Sequence, residues 1–470
     1  MTASPSIHHA NALTTDWESI IPKTELSYIL GNPPFVGKKE QSARQKKELE
    51  TTYHNLKGRG VLDYVTCWYK KAAQYIQNSE IETAFVSTNS ICQGEQVPIL
   101  WPELINKYGI KINFAHQTFK WSNEAKGKAA VHCVIIGFSV NNRKTKKINH
   151  YTDVSGQPTE TAVNQINAYL VDGPTIFIDS RSNPICKVPA MAYGSMPIDD
   201  GHLILSDEEA RSFIKNEPAT KEMIRPYYGG EEFINNKKRF CLWLVDIAPS
   251  KIGKSKMVKD RIEKTRVFRE TSKREATNKL AATPSLFGEI RQPKTDYLLI
   301  PKVSSENRQY IPIGFMKPKN ITNGSALIIP NAGLYEFGVL TSIMHMSWMR
   351  YICGRMKSDY QYSASLVYNN FPWPSLNEKK INAITEAAQV ILDTRLLFPD
   401  STFAELYNPS TMPPKLVKAH QKLDKTVETA YGRSFDDDNQ RVAYLFELYQ
   451  KLAGELFVEE KKRGKGRKVQ

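Results

Sequence analysis

Features that would place a chain in a membrane or outside the cell are missing from this sequence. No run of about 18 apolar residues occurs in its 470 positions, whereas a membrane-spanning helix needs one. The N-terminus, Met-Thr-Ala-Ser-Pro-Ser-Ile-His-His, has neither the basic start nor the apolar core of a secretory signal. The six cysteines stand singly, without a Cys-x-x-Cys pair to hold a metal. These absences predict a cytoplasmic protein with reduced cysteines, no membrane contact and no metal.

Acidic residues are also fewer than basic residues. Lys and Arg number 64 against 49 Asp and Glu, which gives a net charge of +15 at pH 7. This excess favours a polyanionic partner such as nucleic acid, although a solvated basic surface would account for the same charge. Hydrophobic residues make up 41% of the chain, which is enough for two or three packed domains at this length.

One short stretch suggests chemistry. The apolar run from Tyr28 predicts a strand that ends at Asn32-Pro33-Pro34-Phe35. Two successive prolines fit neither a strand ladder nor a helix interior, so the turn is rigid. Because ligands of α/β folds bind beyond the carboxyl ends of strands, we expect Asn32 and Phe35 to face a reacting group.

This turn has the groups needed to hold an exocyclic amine. The side-chain oxygen of Asn32 and the carbonyl of Pro33 are neighbouring acceptors for both hydrogens of an amino group. Accepting both draws the nitrogen lone pair out of ring conjugation and towards an electrophile. The flat face of Phe35 suits a nucleobase, which an enzyme must flip out of the duplex before acting on it. Methyl transfer to adenine N6 has these requirements.

The stretch resembles motif IV of amino-methylating DNA methyltransferases, and the chain beyond it resembles the MmeI-like family of adenine-specific enzymes in type II restriction-modification. The resemblance implies an α/β fold with a partial Rossmann-like class I methyltransferase sheet, a mixed α+β target-recognition domain and a C-terminal helical domain. An Asn-Pro-Pro-aromatic turn also serves enzymes that methylate protein glutamine or ribosomal RNA, and a plain proline turn would look the same. The rest of the chain must therefore decide the substrate.

The resemblance also implies cofactor and base contacts. Motif V of the family falls at the start of a helix that the apolar period predicts over residues 61–76. Candidates to line a pocket for S-adenosyl-L-methionine are thus Leu62, Asp63 and Tyr64, although ordinary helix packing would explain them equally well.

A second aromatic contact is implied further along the chain. Strands are expected at 83–88, 112–116 and 129–138, with a helix at 97–107. The polar loop at 119–128 resembles motif VIII, which implies that Phe119 and Trp121 stack against the target base.

An expected element is missing before Asn32. Enzymes of this order carry a glycine-rich Phe-x-Gly-x-Gly loop for the cofactor upstream of motif IV, but only 31 residues precede Asn32 and none forms such a loop. No Asp plus Glu-x-Lys nuclease constellation is found either. We therefore expect an incomplete cofactor site in a chain that is either a truncated enzyme or one half of a split enzyme. In the second case the partner would be a separate N-terminal methyltransferase or nuclease half.

Basic residues concentrate in one segment. Residues 237–279 hold 14 Lys or Arg against 5 Asp or Glu, and a long helix is predicted from Met257 to Leu280. We expect this excess to follow DNA phosphates, with contacts from Lys254, Lys256 and Lys259.

A predicted hairpin follows, with strands at 296–303 and 310–315. Its turn carries Ser304, Ser305, Glu306 and Arg308, which have the donors and acceptors needed to contact base edges, although an ordinary polar turn would contain the same residues. The segment is similar to the family's target-recognition domain.

Basic and aromatic residues then alternate after an apolar helix predicted at 337–350. This alternation is again similar to the family, and Arg355 and Lys357 are candidates for phosphate contacts. Amphipathic helices are expected at 381–391 and 442–452.

These observations predict three domains. Residues 1–145 would form the C-terminal part of a methyltransferase catalytic domain, 146–375 a DNA target-recognition domain, and 376–470 a helical domain with a basic tail. The predicted function is site-specific adenine-N6 methylation of double-stranded DNA. The alternatives are a DNA-recognition protein without catalysis and an RNA or protein methyltransferase, which the long base-reading region disfavours.

Overall fold

The computed structural model describes residues 6–121, 131–151 and 156–466, with side chains up to residue 455. No helix within these ranges is long and apolar enough to cross a membrane. The strands of these ranges are β1 (Tyr28–Gly31), β2 (Glu82–Thr88), β3 (Lys111–Trp121), β4 (Val131–Ser139), β5 (Lys146–His150), β6 (Thr159–Val163), β7 (Ala192–Tyr193), β8 (Ile204–Ser206), β9 (Ile224–Tyr228), β10 (Arg239–Leu242), β11 (Tyr297–Pro301), β12 (Val303–Ser304), β13 (Gly314–Met316), β14 (Ile321–Thr322), β15 (Ala326–Pro330), β16 (Gly354–Met356) and β17 (Asp359–Gln361).

The α-helices of the same ranges are α1 (Ala43–Thr52), α2 (Thr66–Tyr75), α3 (Val97–Pro102), α4 (Asp207–Asn216), α5 (Gly230–Asn235), α6 (Pro249–Lys254), α7 (Lys256–Glu270), α8 (Glu275–Lys279), α9 (Leu334–Thr341), α10 (Ile343–Ile352), α11 (Glu378–Arg395), α12 (Phe403–Leu406), α13 (Pro414–Tyr431) and α14 (Asp438–Gly466).

The chain divides into two compact units. The first contains Met1–Arg181, Tyr351–Arg355 and Asp437–Gln470, and the second contains Ser182–Arg350 and Met356–Asp436. The expected fold class is confirmed, since an α/β sheet is followed by mixed strands and helices and then by helices. The C-terminal helices are divided between the units, because α11 to α13 belong to the second and α14 to the first.

The first unit is built on a six-stranded sheet in the order β1-β2-β4-β3-β5-β6. Burial alternates along β2, as expected for a strand covered on one face. Helix α2 packs on the sheet through Tyr69, whose ring centroid lies 5.2 Å from that of Phe85 and 5.4 Å from that of Phe138. The sheet therefore has a well-packed centre, whereas β1 lies at its edge and, among the described strands, pairs only with β2.

The second unit contains two four-stranded sheets, ordered β14-β9-β10-β8 and β13-β11-β15-β7. The buried side chain of Arg395 connects its C-terminal helices to the strands. Arg395 donates to the carbonyl of Ile313 over 2.7 Å and to the hydroxyl of Tyr407 over 2.8 Å. That hydroxyl also lies 3.0 Å from Nε2 of His420 in α13. A buried guanidinium needs such partners, so the helices form part of this unit's core.

Several predicted elements are confirmed, with shifted bounds. The strand from Tyr28 ends before Asn32, and the strands at 83–88 and 129–138 correspond to β2 and β4. The helices expected at 381–391 and 442–452 are α11 and α14. The helix expected over 61–76 starts only at Thr66, because residues 62–65 have their own contacts with neighbouring loops.

Other predictions were wrong. Phe119 and Trp121 lie on β3, which extends to Trp121 and pairs with β4 along its length, with two register shifts. Residues 122–128 of the predicted loop lie outside the described residues. The long helix from Met257 to Leu280 is broken between α7 and α8. Buried Arg269 lies at this break and binds the carbonyls of the segment that follows.

The expected hairpin and apolar helix differ in part from the structure. Strand β11 pairs antiparallel with β13, so the predicted hairpin is confirmed, although its second strand starts at Gly314 and not at 310. The segment that joins the two strands contains Ser304–Arg308 and is longer than expected, because β12 turns away within it to pair with β17. The apolar helix is interrupted at Ser342, whose extended backbone separates α9 from α10.

Candidate functional site

The candidate site of the first unit is one edge of its sheet. Strand β1 is parallel to β2, β4 is antiparallel to both β2 and β3, and β3 is parallel to β5. The carboxyl ends of β1, β2, β3 and β5 therefore lie at the same edge. This edge carries the turn after Gly31, the 3₁₀ turn Asn89–Cys92 after β2, Phe119 and Trp121 on β3, and Tyr151 after β5.

The Asn32–Phe35 turn leaves the sheet at this edge. Gly31 pairs with Phe85, and a Cβ at Gly31 would lie only 3.1 Å from the Phe85 ring. Asn32 is exposed, while Pro33 is buried and Phe35 is half-buried. The Asn32 side chain makes no hydrogen bond within the described part of the chain, so its amide is available to a ligand.

A second segment holds this turn in place. The amide N–H of Tyr64 donates to the carbonyl of Val36 over 2.9 Å. Nε2 of Gln41 donates to the same carbonyl over 3.3 Å and to that of Leu62 over 3.0 Å. The expected motif V residues thus lie directly beside the expected motif IV turn.

Asp63 has polar neighbours from three segments. Its carboxylate accepts from the Thr88 hydroxyl over 3.0 Å, and its backbone N–H donates to Oε1 of Gln96 over 2.9 Å. A Cβ placed on Gly37 would lie 3.6 Å from Oδ1 of Asp63. Burial is the main influence on the carboxyl and raises its pKa, although the hydrogen bonds from Thr88 and Gln96 oppose that shift.

The two neighbours of Asp63 are parts of the core. Leu62 is fully buried, and the hydroxyl of buried Tyr64 donates to Glu48. Their packing fixes the backbone on both sides of Asp63. Of the three candidates for the cofactor pocket, Asp63 is therefore the one whose polar side chain lies beside the Asn32–Phe35 turn.

An aromatic cluster lies at the ends of β3 and β5. The ring of Phe119 is stacked on that of Tyr151, with centroids 5.3 Å apart, and lies 6.2 Å from that of Trp121. The Tyr151 hydroxyl is 2.8 Å from Nδ1 of His116. Sequence reasoning missed Tyr151, because its contact with Phe119 depends on the parallel pairing of β3 with β5.

Polar contacts bring distant parts of the chain to the same edge. Asn439, in the first turn of α14, contacts Gln117 of β3 over 2.9 Å and accepts from the Tyr351 hydroxyl over 2.6 Å. Nε of Arg355 donates to Oε1 of Gln93 over 3.3 Å. Gly94 has a φ of +61°, and a Cβ on it would lie 3.1 Å from the Cα of Gly354. No local sequence pattern indicates these approaches.

The other predicted DNA contacts lie in the second unit. Ser304 is buried and its Oγ is 3.4 Å from Nη1 of Arg308, while the N–H of Glu306 donates to Asp359 over 3.3 Å. Ser304 therefore supports the turn, and the partly exposed Ser305, Glu306 and Arg308 are better placed for a ligand. Lys357 is exposed and has a φ of +56° in the turn between β16 and β17.

Only some of the basic side chains in and near α7 are available to bind a ligand. Lys254, Lys256 and Lys259 are exposed and form no ion pair with any residue of the described ranges. By contrast, Lys264 pairs with Asp260 over 2.8 Å, and Arg266 pairs with Glu263 and Glu270. Arg269 is fully buried and donates to five backbone carbonyls, those of Pro197, Ile198, Leu280, Thr283 and Leu286. The positive charge that residues 237–279 can offer to phosphates is thus smaller than their count of lysines and arginines suggests.

Comparisons with known families match three consecutive parts of the chain. Residues 1–150 match the MmeI DNA-methyltransferase domain, 172–375 the MmeI target recognition domain, and 376–457 the MmeI C-terminal domain. The predicted resemblance is confirmed by these matches.

Individual relatives show the same likeness. The chain is 41% identical to DNA methyltransferase A of Bacillus subtilis (strain 168) over 449 residues, which cover 95% of this chain and 50% of that protein. A solved structure of the Type IIL restriction-modification enzyme MmeI in complex with DNA is 50% identical, with a TM-score of 0.86, and the match covers 97% of this chain and 61% of that one. The chain thus spans about half the length of the curated relative it matches.

Proposed function

The chain belongs to the MmeI family, and we propose that it forms part of a site-specific DNA methyltransferase that acts on N6 of a flipped adenine. The observation that carries this proposal is the position of the Asn32–Phe35 turn. Its exposed amide and half-buried ring lie at the carboxyl edge of the sheet, as do Phe119 and Trp121. One edge therefore offers acceptors for an amine and rings for a base.

In the proposed reaction Asn32 and Pro33 act on the target amine. The Asn32 side-chain oxygen and the Pro33 carbonyl accept its two hydrogens, which directs the nitrogen lone pair away from the base ring. Phe35 stacks on the extruded adenine, and Phe119 and Trp121 limit its movement from β3. Contacts of Val36 with Tyr64 and Gln41 hold the backbone of the turn in place, which fixes the positions from which these groups reach the amine.

S-adenosylmethionine, when bound, supplies the electrophilic methyl group. The chain's own residues fit it in part: the Asp63 carboxylate lies beside the turn and is surrounded by polar groups, while Leu62 and Tyr64 support Asp63 from the core. No glycine-rich loop accompanies them in the sequence before Asn32. We therefore infer that the cofactor site is completed by a polypeptide segment other than residues 1–470.

The unpaired edge of β1 is a surface on which this additional segment could dock. No strand of the described ranges pairs with that edge, and Tyr28 and Leu30 on β1 are 63% and 76% exposed. Unpaired edges and exposed apolar residues favour the addition of another strand. A methyltransferase half that docks there would place its own loops at the carboxyl edge beside Asn32. Calorimetric titration of the isolated chain with S-adenosylmethionine should accordingly detect only weak binding.

Methyl transfer in the reconstituted enzyme tests the proposal. The chain is mixed with the part of DNA methyltransferase A that it does not match, and tritiated methyl transfer to plasmid DNA is measured. Nucleoside mass spectrometry should identify N6-methyladenine. Asn32→Ala should lower the rate by about 10²-fold, since it removes a preorganised contact to the reacting group. Exposed Asn382→Ala in α11 is the matched control and should retain the wild-type rate.

Two outcomes would contradict the proposal. N4-methylcytosine as the product would exclude adenine as the target, and an unaltered rate in Asn32→Ala would mean that the motif is only a turn. The alternative function, DNA recognition without catalysis, is supported by the match of residues 172–375 to a target recognition domain. It predicts sequence-specific DNA binding and no methyl transfer in any mixture.

A further inference from the structure

One face of α13 carries a stripe of four lysines. Lys415, Lys418, Lys422 and Lys425 follow one another at intervals of three, four and three residues, which places them on the same side of a helix. All four are exposed. From the first to the last, the stripe is about 15 Å long at the helical rise per residue.

The acidic residues of α13 do not neutralise this stripe. Asp424 is directed inward, where it accepts from the Tyr310 hydroxyl over 2.6 Å and from the N–H of Ile343 over 2.7 Å. Glu428 is buried. None of the four lysines forms an ion pair with a residue in the described ranges. The arrangement differs from α7, where acidic neighbours take up much of the positive charge.

The opposite face of α13 fixes the stripe on a rigid support. Leu416, Leu423 and Val427 are fully buried, and α13 packs along α11. The ring of Tyr310 stacks on that of buried His420, with centroids 4.1 Å apart. The backbone that carries the lysines is therefore held by a packed core, and only their side chains need to be ordered by a ligand.

A groove between α11 and α13 continues the basic surface. It has a volume of about 320 Å³, and its polar lining consists of Lys380, Lys422, Lys425, Thr426 and Thr429. Lys380 already donates to the carbonyl of Ala430 over 3.2 Å, so its ammonium is held at the groove wall. The hydroxyls of Thr426 and Thr429 donate to the carbonyls of Lys422 and Lys425 over 2.8 and 2.7 Å, so the ammonium groups are the donors left for phosphate oxygens. Such contacts fix a nucleic-acid backbone without reading its sequence.

We propose that this lysine stripe and the adjoining groove form a phosphate-contact surface for duplex DNA, separate from the recognition turn and from Lys254, Lys256 and Lys259. The inference rests on the proposed function, which makes DNA the ligand. One DNA strand presents a phosphate about every 3.4 Å along the helix axis, so the stripe is long enough to follow about four. The surface contributes affinity and not sequence preference.

The salt dependence of DNA binding tests this surface. Fluorescence anisotropy measures binding of the full chain to a labelled 30-base-pair duplex across a range of salt concentrations. Each lost phosphate contact lowers the slope of log K against log salt by about 0.9, so Lys418→Gln/Lys422→Gln should reduce it by about 2. The control is Lys264→Gln/Lys317→Gln, which removes the same charge from lysines paired with Asp260 and Asp296 and should keep the wild-type slope.

Other results would overturn either the phosphate-contact surface or the proposed function. A wild-type slope in Lys418→Gln/Lys422→Gln, or an equal loss in the control, would overturn the phosphate-contact surface while leaving the proposed function intact. Loss of binding to single-stranded RNA with unchanged duplex binding would assign the stripe to another polyanion and also overturn it. A wild-type chain that binds no duplex at low salt would instead contradict the proposed function. Thermal unfolding should be the same for all variants, because the replaced lysines are exposed.

Discussion

Nε of Arg355 donates to Oε1 of Gln93 over 3.3 Å, although 262 residues separate the two in the chain. Gln93 directly follows the 3₁₀ turn at the carboxyl end of β2. Arg355 therefore lies at the sheet edge that also carries Asn32, in the same structural unit. A phosphate held by Arg355 would therefore lie at the edge where we propose that the target nucleotide binds.

Arg355→Gln should therefore affect both DNA binding and base flipping. We expect the salt slope to fall by about one phosphate contact and the fluorescence of 2-aminopurine at the target position to decrease. Lys357→Gln, which removes an exposed charge from the turn after β16, should lower only the slope. Equal fluorescence in the two variants would argue against a special position for Arg355.

Phe35→Ala should impair capture of the extruded base. Stacking on an aromatic side chain stabilises a base by about 1–3 kcal/mol, so the flipped fraction should fall by roughly 5- to 150-fold. Phe119→Ala should have an effect of the same kind from the other side of the edge. The exposed Val131→Ala beside Trp121 is the control. Normal 2-aminopurine fluorescence in both phenylalanine variants would remove these rings from the base pocket.

Asp63→Asn should change how stability depends on pH. Burial raises the folded-state pKa of this carboxyl, so its contribution to stability is most favourable below the unfolded pKa of about 3.9 and is lost as pH rises through the folded value. Asparagine does not ionise, so the variant does not lose stability in this way. Between the unfolded-state and folded-state pKa values of Asp63, the variant's free energy of unfolding should therefore increase relative to that of the wild type as pH rises. Urea unfolding at a series of pH values measures this, with exposed Asp393→Asn as the charge control. An advantage that shrinks as pH rises would show that the sign is wrong.

The same substitution should weaken cofactor binding in the reconstituted enzyme. A neutral amide at position 63 removes the carboxylate beside the Asn32 turn. Calorimetry with S-adenosylmethionine should detect reduced affinity even where the variant is the more stable protein. Unchanged affinity would exclude Asp63 from the cofactor site.

Replacing three free lysines near α7 should flatten the salt dependence of DNA binding. Lys254→Ala, Lys256→Ala and Lys259→Ala together should lower the slope by up to about 2.7 if each contacts one phosphate. The matched triple variant at Lys251, Lys264 and Lys279 removes lysines that are paired with acidic residues. The DNA-facing surface would have to lie elsewhere if both triple variants had the same slope.

Arg269→Met should destabilise the protein without affecting DNA binding. The change leaves five carbonyls without their donor, and a buried polar network of this kind is expected to cost about 3 kcal/mol or more. Arg266→Met breaks only exposed ion pairs on the same helix and should cost less than about 1 kcal/mol. Urea unfolding compares them, and equal losses would refute the structural role of Arg269.

The sequence alone determined the local features of this protein. Two successive prolines end β1 wherever that strand lies. Apolar runs locate β2 and β4, and apolar residues at helical spacing locate α11, because these effects depend on neighbours in the chain. The Asn-Pro-Pro-Phe turn likewise contains its acceptors and its ring within four residues. Its resemblance to motif IV could therefore be recognised before any fold was known.

Only the tertiary structure decided which residues meet. Tyr151 reaches Phe119 through the pairing of β3 with β5, and Arg355 reaches Gln93 across most of the chain. The tertiary structure also decided which charged side chains are exposed. The count of lysines and arginines cannot distinguish buried Arg269 from exposed Lys259, nor can it reveal that Asp424 turns away from the lysines of α13. Pairing and burial depend on contacts between distant segments, and a linear pattern contains no information on those distances.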